Sequence, residues 1–217
     1  MPQVTSHFVS PSFTHKKLEP PFYKDVVDVF EDRMVNWLLE PAKKLLDVPH
    51  GSVAAVALAT SYIEGIEIYI SGKDSEGKSK KFFRRGFKRI FPIVTVPILQ
   101  EAIADALYNL LRCGFAHDAM FRNGIYFSDV RKEVFTVTWP KKNGEFDPAG
   151  RLESAVINPR RFIEGIEFHF KGYLKELRAT KPTAAKGTFL AAVNLKWKLG
   201  EPGPVIGMTE EEFLNGA

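Results

Sequence analysis

The chain has 217 residues, is 45% hydrophobic and contains 18 phenylalanines, which is enough for one buried core with an appendage and excludes a generally disordered chain. The formal net charge of +4 is too small to identify a nucleic-acid partner by itself. The single cysteine, Cys113, excludes an internal disulfide and a zinc site built from several thiolates, and it is typical of a reducing compartment.

Residues 1–20 are predicted to form an irregular arm, because they contain several prolines and show no hydrophobic period. The stretch from Met1 to Lys17 lacks the basic start and the apolar run of a signal peptide. The longest apolar run, Val53 to Ala59, is far shorter than the roughly 20 residues that cross a bilayer. We therefore expect a cytoplasmic protein with no membrane partner.

Residues 21–178 are predicted to form one domain of packed helices. Apolar residues recur every three or four positions from Tyr23 to Glu40, which predicts a first helix that ends there. Ser52 is a candidate N-cap for the second helix. A third long helix begins at Pro97 and carries an apolar face along its length.

The end of the second helix is ambiguous, because its isoleucines also alternate as they would in a strand. Its pentapeptide Ile63–Glu67 recurs as Ile163–Glu167, inside a segment that Asn158 marks as a helix by its capping position. We therefore predict helix for both copies. Gly65 and Gly165, at the centres of the copies, are candidates for close helix contacts, although five identities are too few to establish a repeat.

A basic segment between the second and third long helices predicts an amphipathic helix with a cationic face, because phenylalanines are interleaved with the cations. The cations are Lys80, Lys81, Arg84, Arg85, Lys88 and Arg89. Two interpretations stay open. The face contacts an RNA backbone through its phosphates, or it is an ordinary solvated surface over a phenylalanine core. An anionic membrane surface is a weaker third alternative.

The segment Gly72–Ser79 satisfies G-x4-G-K-S, the pattern of a phosphate-binding P-loop. Such a loop requires a strand before it and a helix after it. Asp74 and Glu76 lie where phosphate charge would sit, and no later strand ends in a convincing Mg²⁺-binding aspartate. A flexible charged loop between helices is therefore favoured over a P-loop nucleotide-binding protein.

The most informative residues, Arg112 and His117, lie at the end of the third long helix. Arginine offers a fixed fork for a phosphate, and histidine gives and takes protons near neutral pH. Together they suit attack of a ribose 2'-hydroxyl on its neighbouring phosphodiester, which requires no metal ion or other cofactor. The two residues are about 140° apart on an unbroken α-helix, so we expect Gly114 to end or distort it.

This segment resembles the R-x4-6-H motif of the HEPN-domain ribonucleases. The resemblance implies an all-helical fold, a homodimer and RNA as the substrate, with Arg112 binding phosphate and His117 acting as general acid and base. It further implies a toxin or defence protein, with a partner similar to nucleotidyltransferases. Asp118 is a candidate for orienting the imidazole, while Arg122 and Asn123 are candidate RNA contacts by position.

Cys113 departs from the HEPN pattern, which usually has asparagine or aspartate directly after the arginine. The thiol is either activated by its neighbours or buried and inert. The departure also leaves open a second function, that of a catalytically inactive HEPN-like module that binds RNA or a protein.

Two strands, Gly124–Ser128 and Glu133–Trp139, are predicted to form a small hairpin after the motif, and Leu152–Ile157 is a further short strand. The predicted fold is therefore mainly α, a helical bundle with a small β-hairpin appendage spanning residues 124–157. Residues 179–217 are predicted to be a C-terminal extension.

Overall fold

The structure is a computed structural model that describes residues 8–92, 94–197 and 199. Its α-helices are α1 Tyr23–Arg33, α2 Glu40–Leu46, α3 Ser52–Ser71, α4 Ser79–Ile90, α5 Pro97–Ala106, α6 Pro159–Leu177 and α7 Ala184–Trp197. Its strands are β1 Ile125–Phe127, β2 Phe135–Thr138, β3 Lys141–Lys142, β4 Glu145–Phe146 and β5 Ser154–Ile157. The predicted mainly α fold with a small β appendage is confirmed. The start of the predicted arm and most of the extension after residue 197 lie outside the described residues.

The described part of the N-terminal arm docks on α1. The backbone N–H and the hydroxyl of Ser12 both donate to the carboxylate of Asp32, at 2.7 and 2.9 Å. Leu18, in a short 3-10 helix, is buried in the core. These contacts satisfy polar groups and bury an apolar side chain, so the arm is ordered here without a long regular element.

The first helix continues past Glu40, where the sequence predicted its end. After α1 the chain forms a π-helix, Met34–Leu39, and then enters α2, which has Pro41 in its first turn. Proline supplies no N–H donor, and the first turn of a helix is the place where that donor is not needed. The wider π turn before Pro41 therefore lets the chain stay helical through the proline.

Helix α3 lies at the centre of the bundle and packs against α2, α4, α6 and α7. Both copies of the pentapeptide are helical, as predicted. Helix α3 begins at Ser52 without a side-chain cap and ends at Gly72, whose φ of 66° is left-handed. Among the described helices it alone has the length and composition of a membrane span, with a mean hydropathy of 1.4. Its place inside the core accounts for that composition, since core helices are apolar on most sides.

The close contact between α3 and α4 is made by Gly86. A Cβ atom at Gly86 would lie 1.9 Å from the backbone oxygen of Ile63, so only glycine fits this crossing. Gly165 also makes a close contact, with the ring of Phe91, as predicted. Gly65 does not, because a Cβ atom there would meet nothing within 4 Å.

The strand that a P-loop requires before Gly72 is absent from the described chain, because α3 runs as a helix to Ser71. The segment from Gly72 to Lys78 connects two helices, and its Asp74 carboxylate accepts hydrogen bonds from Lys196 at 2.7 Å. This arrangement matches the charged loop that the sequence favoured.

The three-stranded sheet has the order β1-β5-β2. Strand β1 pairs in parallel with β5, and β2 pairs antiparallel with β5, so the predicted strands β1 and β2 do not form a hairpin with each other. The antiparallel β2–β5 pair is extended at its turn by the β3–β4 hairpin, which has Asn143 and Gly144 at its tip. The central place of β5 follows from its burial, because Ala155 and Ile157 are fully buried.

Asn158 caps α6 as predicted, since its side-chain oxygen accepts the Arg161 backbone N–H at 3.0 Å. Its side-chain amide donates to the Arg131 carbonyl, which fixes the loop before the sheet to the start of the helix. Helix α6 buries Phe162, Ile166 and Phe170 in the core.

Candidate functional site

The predicted motif lies on a helix that is wider than an α-helix. After α5 the chain forms two π-helical segments, Leu107–Arg112 and Gly114–Asp118, separated by Cys113. The Cys113 N–H donates to the carbonyl of Tyr108, five residues earlier. Such wide turns are rare in proteins, and many of those that are known lie at functional sites. On a wider turn, residues five apart lie at a smaller angle than the about 140° of an α-helix, which favours the convergence of Arg112 and His117.

Gly114 has a packing role at this distortion. It is buried, and a Cβ atom there would lie 2.6 Å from the backbone oxygen of Met120, where the chain folds back over the helix. That return is fixed by the Arg122 N–H, which donates to the Leu110 carbonyl at 2.8 Å, and it turns through a left-handed residue, Ala119. The helix is therefore distorted around Gly114, as predicted, and it ends four residues later.

Arg112 is half-buried and is held by α3. Its Nη2 atom lies 3.3 Å from Oε2 of Glu64, and its guanidinium lies 5.7 Å from the centre of the Tyr108 ring. The same Glu64 oxygen accepts a hydrogen bond from the hydroxyl of Ser79 at 2.5 Å. Arginine has five N–H donors, and the described contacts use only one of them. The rest of the fork is therefore available to a phosphate.

An open cleft of about 540 Å³ lies beside this ion pair. Its walls come from α3, α4 and the motif segment, and it includes Ser61, Glu64, Phe83, Arg112 and Phe115. Apolar surface dominates, while Arg112 and Glu64 are the charged groups of the lining. A cleft of this size and character is typical of a site for a small molecule or for one unit of a larger substrate.

Glu64 was not identified from the sequence as a functional residue. The pentapeptide comparison drew attention to its position, but nothing in the local pattern indicates that Glu64 meets Arg112, 48 positions later. The contact depends on the packing of α3 beside the π-helical segment.

His117 is exposed and lies outside the lining of the cleft that contains Arg112. The predicted orienting residue, Asp118, accepts a hydrogen bond from Nε of Arg122 at 2.5 Å, and this bond lowers the pKa of Asp118 below its ordinary value. The charge of His117 acts in the same direction on Asp118, so the two side chains are close enough to interact electrostatically. Asp118 is thus an ionised neighbour of His117 whose hydrogen bond goes to Arg122.

The other predicted residues of the motif region are exposed or half-buried. Arg122 also donates to the Asn109 carbonyl at 3.3 Å, which ties it to the motif helix. Asn123 is exposed in the turn before β1. Cys113 is a free, half-buried thiol.

The basic segment forms helix α4, and its phenylalanines Phe82, Phe83 and Phe87 are buried, as the amphipathic pattern predicted. Most of its cations have acidic partners inside the chain. Arg84 binds Asp105 through two hydrogen bonds of 2.5 Å, and Lys80 lies 3.3 Å from the same carboxylate.

The remaining acidic partners of α4 come from α3 and α5. Lys88 pairs with Glu101 at 2.9 Å, and the buried carboxylate of Glu67 pairs with Arg89 at 2.7 Å and with Arg85 at 4.0 Å. Lys81 is exposed and has no ion pair within the part of the chain that the structure describes. Six cations on three carboxylates leave a formal surplus of three positive charges on this face.

Across residues 8–92 and 94–197, no three His, Cys, Asp or Glu side chains are grouped in a way that could hold a metal ion. Comparisons of the chain with protein-family models, with curated proteins and with solved structures found no match.

Proposed function

We propose that this protein is a HEPN-like, metal-independent endoribonuclease, in which Arg112 binds the scissile phosphate and His117 transfers protons. One observation carries the proposal: Arg112 lines an open cleft, and within the described residues its guanidinium makes one hydrogen bond, to Glu64. An arginine oriented in this way is prepared to bind a phosphate and to stabilise the additional charge of a phosphorane.

In the proposed reaction, the ribose 2'-oxygen attacks the adjacent phosphorus while its proton passes to His117. The P–O5' bond then breaks, and the leaving 5'-oxygen takes up the proton that the imidazolium of His117 gives back. The products are a 2',3'-cyclic phosphate and a 5'-hydroxyl, so atoms and charge balance without a further reactant. The imidazole of His117 is exposed, which allows it to reach an RNA strand and to exchange protons with solvent.

The proposal includes a homodimer and a cytoplasmic location. Arg112 faces a cleft whose lining does not include His117, so the two groups of one chain do not line the same cleft. A two-fold axis beside the motif would bring the His117 of a second copy towards Arg112. A toxin or defence role, with a nucleotidyltransferase-like protein as partner, completes the proposal and rests on the resemblance of the motif alone.

A second candidate function is a catalytically inactive HEPN-like module that binds RNA or a protein. The pairing of the α4 cations with Asp105, Glu101 and Glu67 favours the protein-binding form of this module, because neutralised cations contribute less to the binding of a phosphate backbone. Cys113, in place of the usual polar residue after the arginine, favours an inactive module.

Cleavage of RNA by the full chain in the presence of EDTA separates these two functions. The wild-type protein is expected to release 2',3'-cyclic phosphate ends, and Arg112→Ala and His117→Ala are each expected to lose at least about 100-fold of the rate. Arg160→Ala is a matched arginine control on the exposed start of α6, and His50→Asn is a histidine control that keeps a residue tolerant of the left-handed φ of 63°. RNA binding without cleavage would establish the inactive module instead.

A further inference from the structure

A second cleft, of about 770 Å³, lies between α6 and α7 and extends to the ends of α3 and α4. It shares no lining residue with the cleft beside Arg112 over the described part of the chain. Its charged lining consists of the cations Arg89, Lys171 and Lys175 and one carboxylate, Glu176. The volume is in the range of sites that hold a small organic ligand, and the charge favours an anionic one.

Phe168 gives this cleft an exposed aromatic surface. Its side chain is 82% exposed, which is unusual for phenylalanine, and it adds nothing to the core. Lys171 and Lys175 follow at three and seven positions along α6, so the ring and the two cations lie on one side of the helix. Aromatic rings next to cations bind nucleotides because the base stacks on the ring while the phosphate meets the positive charge.

Gly172 leaves space one turn after the Phe168 ring. Glycine weakens the interior of a helix, and at this position no packing contact requires it, because a Cβ atom would meet nothing within 4 Å. A larger residue here would fill the cleft. The bare backbone therefore keeps the surface beside the ring open.

His169 presents a fixed hydrogen-bond donor in the same cleft. Its Nδ1 atom lies 3.0 Å from the hydroxyl of the buried Tyr62, and burial raises the pKa of Tyr62 well above its ordinary value. We assign the Tyr62 hydroxyl as the donor and Nδ1 as the acceptor of this hydrogen bond, because the hydroxyl keeps its proton and makes no other hydrogen bond within the described residues. Burial and the charge of Arg89 lower the pKa of His169 to about 4, so the ring is neutral and carries its one proton on Nε2.

Arg89 and Lys175 supply charge around this donor. Nε of Arg89 donates to the buried carboxylate of Glu67 at 2.7 Å, which anchors the side chain, and its two terminal amino groups make no hydrogen bond within the described residues. Lys175 is exposed and has no ion pair in the same part of the chain. Lys171 is engaged by Glu167 at 2.9 Å and therefore contributes less.

We infer that this cleft binds a nucleotide, with the base stacked on Phe168 and the phosphate held by His169, Arg89 and Lys175. The site does not depend on the proposed nuclease, because it uses neither Arg112 nor His117. Its ligand is a nucleoside monophosphate, either free or as one unit of a single-stranded RNA.

Titration calorimetry of the full chain with AMP, adenosine and inorganic phosphate tests the inference. We expect AMP to bind with one-to-one stoichiometry and at least tenfold more tightly than adenosine or phosphate, because only AMP engages both halves of the site. A short oligoribonucleotide that displaces AMP would identify a strand as the source of the nucleotide, and failure to displace it would identify the free nucleotide.

Variants of the lining residues test whether AMP binds in this cleft. Phe168→Ala and Gly172→Leu are each expected to weaken AMP binding at least tenfold. Gly187→Leu is the matched control, because Gly187 is another helical glycine with open space around it but lies outside the cleft lining. Arg112→Ala should retain full AMP affinity, which separates this site from the proposed active site. The inference is overturned if AMP does not bind at millimolar concentration, or if Phe168→Ala and Gly172→Leu bind it as the wild type does.

Discussion

The Nη2 atom of Arg112 lies 3.3 Å from Oε2 of Glu64, and this ion pair joins the motif segment to the central helix α3. The Glu64 side chain is only 16% exposed, whereas that of Arg112 is 37% exposed. The carboxylate is thus fixed by its surroundings and by the hydroxyl of Ser79, and it holds the more exposed guanidinium in place. In the proposed nuclease, Glu64 is therefore a positioning residue.

Glu64→Gln removes the charge and keeps the shape of this contact. We expect RNA cleavage to fall by about tenfold, because Arg112 loses its orientation but keeps its own charge. The free energy of unfolding should fall by less than about 1 kcal/mol, since the partner is partly solvated. Kinetics and urea titration measure the two effects, with Glu164→Gln, at an exposed position of α6, as the control. Unchanged cleavage would remove Glu64 from the site.

Mixing two inactive variants tests the proposed dimer. If Arg112 of one chain acts with His117 of the other, a heterodimer of Arg112→Ala and His117→Ala chains retains one complete site. We expect the mixture to recover up to about a quarter of the wild-type rate, which is the statistical limit for one site in half of the dimers. A cleavage assay after co-refolding measures it. No recovery, or a monomer by light scattering at the assay concentration, contradicts shared sites.

Variants of Lys81 and Arg84 distinguish two roles of the α4 cations, RNA binding and ion pairing within the fold. Lys81→Glu is expected to weaken RNA binding, because Lys81 has no ion pair in the described residues. The slope of the logarithm of the binding constant against the logarithm of the salt concentration should become less steep by about one or two. Arg84→Glu should instead lower the free energy of unfolding by about 1 to 2 kcal/mol, because it places a second negative charge beside Asp105.

Filter binding at several salt concentrations and urea titration give the two readouts for these variants. Lys24→Glu, at an exposed position of α1, is the control for RNA binding. If Lys81→Glu leaves the salt slope unaltered, α4 is an ordinary solvated surface.

Gly86→Ala is expected to lower the free energy of unfolding by about 3 kcal/mol or more, because its methyl group would overlap the backbone oxygen of Ile63. Gly172→Ala is the matched control. The same methyl group there meets open space, so the variant should be as stable as the wild type or up to about 1 kcal/mol more stable. Urea titration compares them, and equal stability of the two variants would contradict the close α3–α4 crossing.

The lowered pKa of His169 predicts that the folded chain loses stability on acidification. Its pKa is about 4 in the folded chain, lowered by burial and by Arg89, against an ordinary value of 6.5. Below pH 6.5 the unfolded chain therefore binds a proton that the folded chain does not, and stability falls as the pH drops towards 4. The expected loss from this one group is about 2 to 3 kcal/mol.

The comparison with His169→Gln isolates this contribution, because the amide oxygen of glutamine still accepts from Tyr62 and does not titrate. Urea titrations between pH 7 and pH 4 should show a steeper loss for the wild type than for the variant. Parallel curves would show that His169 is as solvated in the folded chain as in the unfolded one.

The elements of this protein were largely determined by local patterns. The capping role of Asn158, the buried phenylalanines of α4 and the helicity of both pentapeptide copies follow from residue spacing, which acts over one or two helical turns. The distortion at Gly114 was predictable for the same reason. The continuation of the first helix through Pro41 was not, because a π turn leaves no simple period in the sequence.

Tertiary packing decided which of these residues meet. Glu64 and Arg112 are 48 positions apart, and Gly86 and Ile63 are 23 apart, so no local pattern relates either pair. The same applies to the acidic partners of the α4 cations, which turned a predicted cationic face into a partly neutralised one. The sequence by itself determined most of the helices and their apolar faces, and it supplied the hypothesis of catalysis by Arg112 and His117. Only the packed structure decided their partners, because long-range contacts depend on how whole faces fit together and not on the spacing of residues within one of them.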